Sequence, residues 1–418
     1  MKFNDDVLRK RSILGILFLL YLFAGLVRTG VILAQGLNSP LESDAASYFT
    51  RGENLMHGQG FSRVWEDGVV RPTAKQMPGT SLILGVGVLL FGDRPGVAHL
   101  LAAAFSSFSA PLMYLFALQV FRPIPALLSG LACAIYPAWL FYSTTAFSEP
   151  FFVPLLLLAM LLSCSVQKET PVWYAFVAGL AWGTAGMVRP HAVPMAGLVA
   201  VLLLCWGAGW RRAILLGTGC LLILAPWVWR NQRVFGKPLL ATESGETLLG
   251  ANNPYVLSKA ELHGLWLPPR QIPEYWAIIG PIHDELLASQ LQNQMARKFL
   301  RENPGAIPRL VVYKLARWLT PISETPGLIR LLIVCSYGSL LLFLLLGFSR
   351  RIYSFSFPLA MVLLWTMLML AVTAVYWGNL VRGRLPLELP WLPWGIQSGW
   401  SIYERVARRT IPVSWAAP

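Results

Sequence analysis

Long apolar runs separated by short polar turns organise this chain. The first run, residues 13–34, follows Lys2, Arg9, Lys10 and Arg11. It has no small-residue cleavage site and exceeds the apolar core of a signal peptide, so it reads as a retained span with a cytoplasmic N-terminus. The polar stretch 36–77 then lies outside. Residues 78–92 are apolar but short, and such a run fits a re-entrant or interfacial helix better than a crossing. Six runs follow, alternately inward and outward: 96–121, 124–142, 147–166, 172–188, 192–208 and 213–229. After a polar, proline-rich segment from Arg230 to about Glu324, residues 328–348 run inward, 352–377 outward and 385–403 back. The inner turns then carry Arg122, Lys168, Arg211, Arg212, Arg350 and Arg351, and Arg405, Arg408 and Arg409 mark an inner C-terminus. Were 78–92 a crossing, the later turns would swap sides and this basic bias would fail.

Within 230–324, Leu287, Leu291, Met295 and Phe299 recur at i+4 spacing, which predicts an amphipathic helix ending near Asn303-Pro304. Residues 307–319 carry Arg309, Lys314 and Arg317 and read as interfacial, with a half-span as the alternative. There is no internal repeat and no low-complexity tract.

Composition narrows the class. Of 418 residues, 56% are hydrophobic and 13% charged, against roughly 25% charged in soluble domains. Mean hydropathy is +0.56. A water-soluble enzyme, a disordered chain and a collagen-like chain are excluded. The expectation is an all-α polytopic membrane protein of about ten spans of roughly 20 residues. The net charge of +14 fits basic loops held against an anionic leaflet and does not call for nucleic acid. Cys133, Cys164, Cys205, Cys220 and Cys335 all sit in apolar runs without metal-ligand spacing and read as small buried hydrophobes.

The candidate chemistry lies on the outer side. In Leu41-Glu42-Ser43-Asp44-Ala45-Ala46-Ser47-Tyr48, Ser43 or Asp44 is a good N-cap, and Gly58 and Gly60 stop the helix. Asp44 near a helix N-terminus favours the ionised carboxylate, which serves as a base, a metal ligand or simply a cap. Outer cations escape the inner-leaflet explanation: Lys75, Arg189 and His191, Arg230 and Arg233, Arg382 and Arg384. Converging guanidinium groups suit a phosphate, while single ones also snorkel to headgroups. Glu388 is a carboxylate at membrane depth, with an ion pair to one of the nearby arginines as its structural role. Glu149, before Pro150, either begins a span as an acid at its first turn or faces the cavity beneath Asp44. Motifs of nucleotide hydrolysis, dinucleotide redox, zincin chemistry and serine hydrolysis are missing from the sequence.

These pieces, in this order, resemble the GT-C superfamily of polyprenyl-phosphate-sugar-dependent glycosyltransferases. The nearer likeness is to bacterial protein O-mannosyltransferases and lipid A aminoarabinose transferases. It rests on Ser43-Asp44 through Tyr48, Gly58-Gln59-Gly60-Phe61, Lys75-Gln76-Met77-Pro78-Gly79 with Phe91-Gly92, and Ser148-Glu149-Pro150. Arg189-Pro190, Pro226 through Asn231, Gly250 through Pro254, and Arg382 through Glu388 complete it. Several relatives carry two adjacent acids where Ser43 here separates Glu42 from Asp44.

The resemblance implies a GT-C-type transmembrane bundle with juxtamembrane helices in the first periplasmic loop. It divides the chain into a GT-C-like module at 1–229, a periplasmic loop with amphipathic helices at 230–324, and C-terminal membrane helices at 325–418. It implies an inner-membrane glycosyltransferase, with both termini cytoplasmic and the site periplasmic. The donor would be a polyprenyl-phosphate-linked sugar and the acceptor a lipid, glycan or protein. Asp44 would be the base or acceptor-orienting carboxylate, with Glu42 and Glu149 as further catalytic candidates. Lys75, Arg189, His191, Arg382 and Arg384 would bind the donor phosphate. No cofactor is fixed, and a divalent metal is compatible with the acids. The competing readings are a transporter or flippase of a lipid-linked saccharide, which should show mid-bilayer ionisable residues and repeated halves, and a non-catalytic envelope accessory protein.

Overall fold

The computed structural model describes residues 2–65, 67–321, 327–376 and 381–410, with the backbone alone for 2–11, 409 and 410. The expected boundary near Glu324, the expected span end at Trp377 and the basic side chains Lys2, Arg9, Lys10, Arg11 and Arg409 lie outside the described residues.

The chain is an all-α, multi-pass membrane protein. The one sheet among the described residues is a two-stranded antiparallel hairpin, Ser62–Val64 with Val70–Pro72. Among the described residues, five helices are long and apolar enough to cross a membrane: Ser12–Gln35, Pro95–Ala117, Trp210–Phe235, Gly327–Ser349 and Phe357–Val375. Three further apolar runs differ from these. The run 124–142 divides at Pro137 into Pro123–Ile135 and Pro137–Tyr142, because proline cannot donate within a helix. The run 385–403 lies inside Val381–Thr410, which carries Pro386, Pro390 and Pro393 together with buried Arg384 and Glu388. Gly79–Phe91 has 13 residues, about 20 Å of helix against a hydrocarbon core of about 30 Å.

Small residues set the packing of these helices. A Cβ at Gly179 would lie 2.0 Å from the Leu216 carbonyl oxygen, and one at Gly219 would lie 2.3 Å from that of Phe176. Trp173–Val188 and Trp210–Phe235 therefore touch backbone to backbone, the close approach on which lipid-embedded helices depend. Trp139, Trp182 and Trp365 fill the centre of the bundle and are fully buried. Arg28 is buried in the first span and donates to Ser106 Oγ at 3.0 Å and to the Ala134 carbonyl at 3.2 Å.

The two polar segments form a joined cap. Thr242 N–H donates to the Ala74 carbonyl at 2.9 Å, and Glu243 N–H to that of Lys75 at 3.1 Å. Buried Glu285 accepts from Thr73 Oγ1 at 2.6 Å and from both Ala74 N and Thr242 Oγ1 at 2.7 Å. Arg230, at the end of a span, donates to the Phe61 and Thr73 carbonyls, each at 2.8 Å. This backbone role takes it out of the set of free outer cations.

Glu285 also sets the rotation of its own helix, Glu285–Glu302. The buried face is Ser289, Gln292, Ala296 and Phe299, and Leu287, expected on that face, is 52% exposed. Ala306–Leu319 buries Ala306, Leu310, Lys314 and Trp318, an i+4 stripe. Lys314 Nζ donates to Asn252 Oδ1 at 2.7 Å, to the Val375 carbonyl at 3.0 Å and to the Ala374 carbonyl at 3.2 Å. It thereby caps the C-terminus of Phe357–Val375, where a cation is favoured.

Candidate active site

The helix Ser43–Met56 starts differently from its sequence pattern. Glu42 is the N-cap residue, and its side chain makes no cap hydrogen bond. Neither Ser43 nor Asp44 caps, so Asp44 is free to turn away from its own helix. Ser43 adopts φ +54°, a left-handed conformation uncommon outside glycine. The far end of the helix passes close to Gly79–Phe91 because Gly52 faces Ser81 and Gly85, where a Cβ would lie 2.7 Å from the Ser81 carbonyl oxygen.

Asp44 faces a cavity of about 710 Å³ between cap and bundle. Its polar end holds Asp44, Gln76, Arg189, His191, Glu243 and Arg382. Leu240, Trp318, Met369 and Val372 give it apolar walls. Arg382 links the acids: Nη2 donates to Asp44 Oδ2 at 2.9 Å and Nε to Glu149 Oε1 at 2.8 Å. The guanidinium lies 3.8 Å from the centre of the Phe147 ring. Arg189 donates to the same Glu149 oxygen and to Ser148 Oγ, the latter at 2.9 Å. Glu149 is fully buried and begins a helix; it does not line the cavity, and meets Asp44 only through Arg382.

Electrostatics separate the groups. Burial alone would raise the Asp44 pKa, but the charge and hydrogen bond of Arg382, with Lys75 and Gln76, hold it below the ordinary aspartate value. Burial and the Arg189 charge push His191 down to about 4, so it is neutral at pH 7. Burial pushes Glu243 up to about 7, helped by the charges of Asp44 and Glu246 and opposed by Lys75 and Gln76.

The remaining expected residues fall elsewhere. Lys75 does not line the cavity; its Nζ pairs with Glu246 Oε2 at 2.7 Å, and its charge still reaches Asp44. Glu42 is exposed and outside the cavity. Arg384 is fully buried and turned from the cavity: it binds Glu388 and the Thr320 carbonyl, reaches the Trp318 carbonyl at 3.0 Å, and lies 3.7 Å from the centre of the Tyr337 ring. Glu388 also accepts from Tyr136 Oη at 2.5 Å. Glu243 is a site residue that no sequence motif marks. The backbone pairing of 242–243 with 74–75 brings it to the cavity.

No group of three or more His, Cys, Asp and Glu side chains among the described residues is placed to hold a metal ion. A guanidinium stands between Asp44 and Glu149 where a shared cation would sit. No step is assigned to a metal.

Residues 73–229 match the family model described as dolichyl-phosphate-mannose-protein mannosyltransferase. The archaeal oligosaccharyltransferase AglB from Archaeoglobus fulgidus, in complex with an inhibitory peptide and a dolichol-phosphate, aligns with a TM-score of 0.56 at 14% identity, over 98% of this chain and 53% of that one. The apo form of the oligosaccharyltransferase from Archaeoglobus fulgidus gives 0.54 at 14%, over 95% and 51%. ArnT from Cupriavidus metallidurans bound to undecaprenyl phosphate gives 0.46 at 16%, over 96% and 81%. No curated protein matches the chain. The chain spans about half the length of the oligosaccharyltransferase structures it matches. The family match and the shared fold bear out the resemblance to the GT-C superfamily, and the architecture is a GT-C-type membrane bundle.

Proposed function

We propose that the chain is an inner-membrane glycosyltransferase that moves a sugar from a polyprenyl-phosphate-linked donor to an acceptor at the periplasmic face. One observation carries the reading: a cavity with apolar Leu240, Met369 and Val372 in its lining also holds Asp44, Arg382 and Arg189, which buried Glu149 ties together. A lipid-linked donor matches both halves. Its prenyl chain lies against Leu240, Met369 and Val372, and its phosphate reaches Arg382 and Arg189. The basic bias of the opposite turns supports a periplasmic cap with both termini cytoplasmic.

The acceptor oxygen attacks the anomeric carbon from the Asp44 side, and the bond to the phosphate breaks with inversion. Charge then develops on the departing phosphate. Fixed guanidinium groups stabilise that charge, and such preorganised stabilisation commonly supplies most of an enzyme's rate enhancement. Glu149 holds both arginines through one oxygen, so their positions are set before the donor arrives. Lys75 supports the site through its field, and neutral His191 donates or accepts a hydrogen bond without adding charge.

Mass spectrometry of envelope lipids, glycans and proteins from cells with and without the gene tests this. The expected result is a mass difference of one sugar unit on one envelope component. Identical spectra contradict it. A lipid-linked saccharide accumulating on the inner face, with no glycosidic bond missing, supports the transporter reading instead.

A further inference from the structure

Asp44 is not the only carboxylate at the polar end of the cavity. Glu243 lines it too, as does the amide of Gln76. Gln76 Nε2 donates to Glu243 Oε1 at 3.1 Å, and the same amide helps to lower the Asp44 pKa. The amide cannot turn over, because Arg51 Nη1 donates to Gln76 Oε1 at 2.7 Å. With its oxygen occupied, the amide presents only N–H donors to the cavity it lines. The Glu243 main chain is pinned in turn by its N–H bond to the Lys75 carbonyl at 3.1 Å.

The two acids are placed in unlike settings. Asp44 faces Arg382 at 2.9 Å, a full positive charge that stabilises its anion and weakens it as a base. Glu243 makes no ion pair among the described residues: Lys75, the cation that lowers its pKa, is already paired with Glu246. The groups facing Glu243 are Asp44, Glu246, Lys75 and Gln76, with Tyr48 and Arg51 behind them. A pair of acids pushed apart by their surroundings divides acid–base work between them, and a base works best when its pKa lies near the working pH.

We propose that Glu243 is a catalytic residue, the carboxylate that accepts the acceptor's proton, and that Asp44 orients the acceptor. This rests on the glycosyltransferase reading above. The acceptor oxygen forms its bond to the anomeric carbon. The carbon–oxygen bond to phosphate breaks and its electron pair leaves on the polyprenyl phosphate. The hydroxyl proton passes to Glu243, which releases it to solvent before the next turnover.

The test uses the full chain in proteoliposomes. Polyprenyl-phosphate sugars extracted from the parent cells serve as donor, and envelopes of cells lacking the gene serve as acceptor. Glu243→Gln keeps the oxygen that Gln76 binds and removes the basicity. Its kcat should fall by about 100-fold or more, the usual scale for a lost general base. Its donor KM and its binding of undecaprenyl phosphate, followed by tryptophan fluorescence, should stay near wild type. The acid limb of the wild-type pH profile, with a midpoint near the value of about 7 held by Glu243, should vanish in Glu243→Gln. Glu243→Asp should restore part of the rate. A Glu243→Gln rate near wild type, or an acid limb unchanged in that variant, overturns the assignment. Loss of undecaprenyl phosphate binding together with rate overturns it as well, and gives Glu243 a structural role. A wild-type protein that transfers no sugar overturns the glycosyltransferase reading itself, and this inference with it.

Discussion

Arg382 and Glu149, 233 positions apart in the chain, meet at 2.8 Å. The contact joins the start of the last helix to the start of Glu149–Cys164, and the same guanidinium reaches Asp44. Two carboxylates thus hold the cation that the proposed phosphate needs. The phosphate must compete with Asp44 for Arg382, and much of what can be tested follows from that competition.

Replacing Arg382 by Gln should lower transfer by about 100- to 1000-fold, the scale seen when one stabilising donor is removed. Arg382→Lys should recover little, because a single ammonium cannot reproduce the fork that bridges Asp44 and Glu149. Glu149 keeps Arg189 in both variants, so thermal unfolding should show a folded protein. Initial rates in proteoliposomes beside melting curves check this.

Asp44→Asn should reduce transfer while undecaprenyl phosphate binds at least as tightly as in wild type, since the carboxylate no longer competes for Arg382. Fluorescence titration reads the binding. The sign of the pH effect also follows. The folded pKa of Asp44 lies below its unfolded value of 3.8, so the stability it contributes is present above 3.8 and is lost as pH falls through the folded value. The melting difference between wild type and Asp44→Asn should narrow below about pH 4, as the Asp44 carboxylate takes up its proton.

Arg384 should behave in the opposite way to Arg382. It is fully buried with Glu388, and removing one partner of a buried pair costs about 3–5 kcal/mol. Arg384→Met should therefore lower the melting temperature strongly. The double variant Arg384→Met with Glu388→Leu should recover much of the loss, and its undecaprenyl phosphate binding should match wild type.

The contrast between these two arginines shows where sequence reading stops. Both are candidates for the phosphate because both lie in one basic, membrane-depth motif. On a helix, residues two apart point about 200° apart, so one can face the cavity and the other the protein interior. Which does which depends on the rotation of the helix. Glu388, four residues after Arg384 and on its face, takes Arg384 inward. Asp44 and Glu149 stand out in the sequence as outer-side acids, each beside an ordinary alternative, a helix cap for Asp44 and a first-turn acid for Glu149. Glu243 does not, because only the pairing of two distant loop segments places it. The helix at 285–302 is legible, but its buried face is not: Glu285 anchors it to Thr73 and Thr242, and that anchor outweighs the leucine stripe.

Gly52→Ala tests how the cap positions the site. Its methyl group would meet the Ser81 carbonyl oxygen and the Gly85 nitrogen at 2.7 and 2.8 Å. Overpacking of this kind costs about 1–3 kcal/mol. The helix that carries Asp44 should be displaced, so transfer should fall more than undecaprenyl phosphate binding. Melting curves and rates on the same preparation decide it.

The most direct measurement follows both products at once. Purified protein in proteoliposomes receives extracted polyprenyl-phosphate sugars and envelopes from cells lacking the gene, and free polyprenyl phosphate and acceptor-bound sugar are quantified together. A glycosyltransferase built around the Arg382 chain releases polyprenyl phosphate in equal amount to the sugar transferred, and both products disappear in Arg382→Gln. Sugar that crosses the bilayer still attached to its lipid, with no phosphate released and no glycoside formed, would contradict that function.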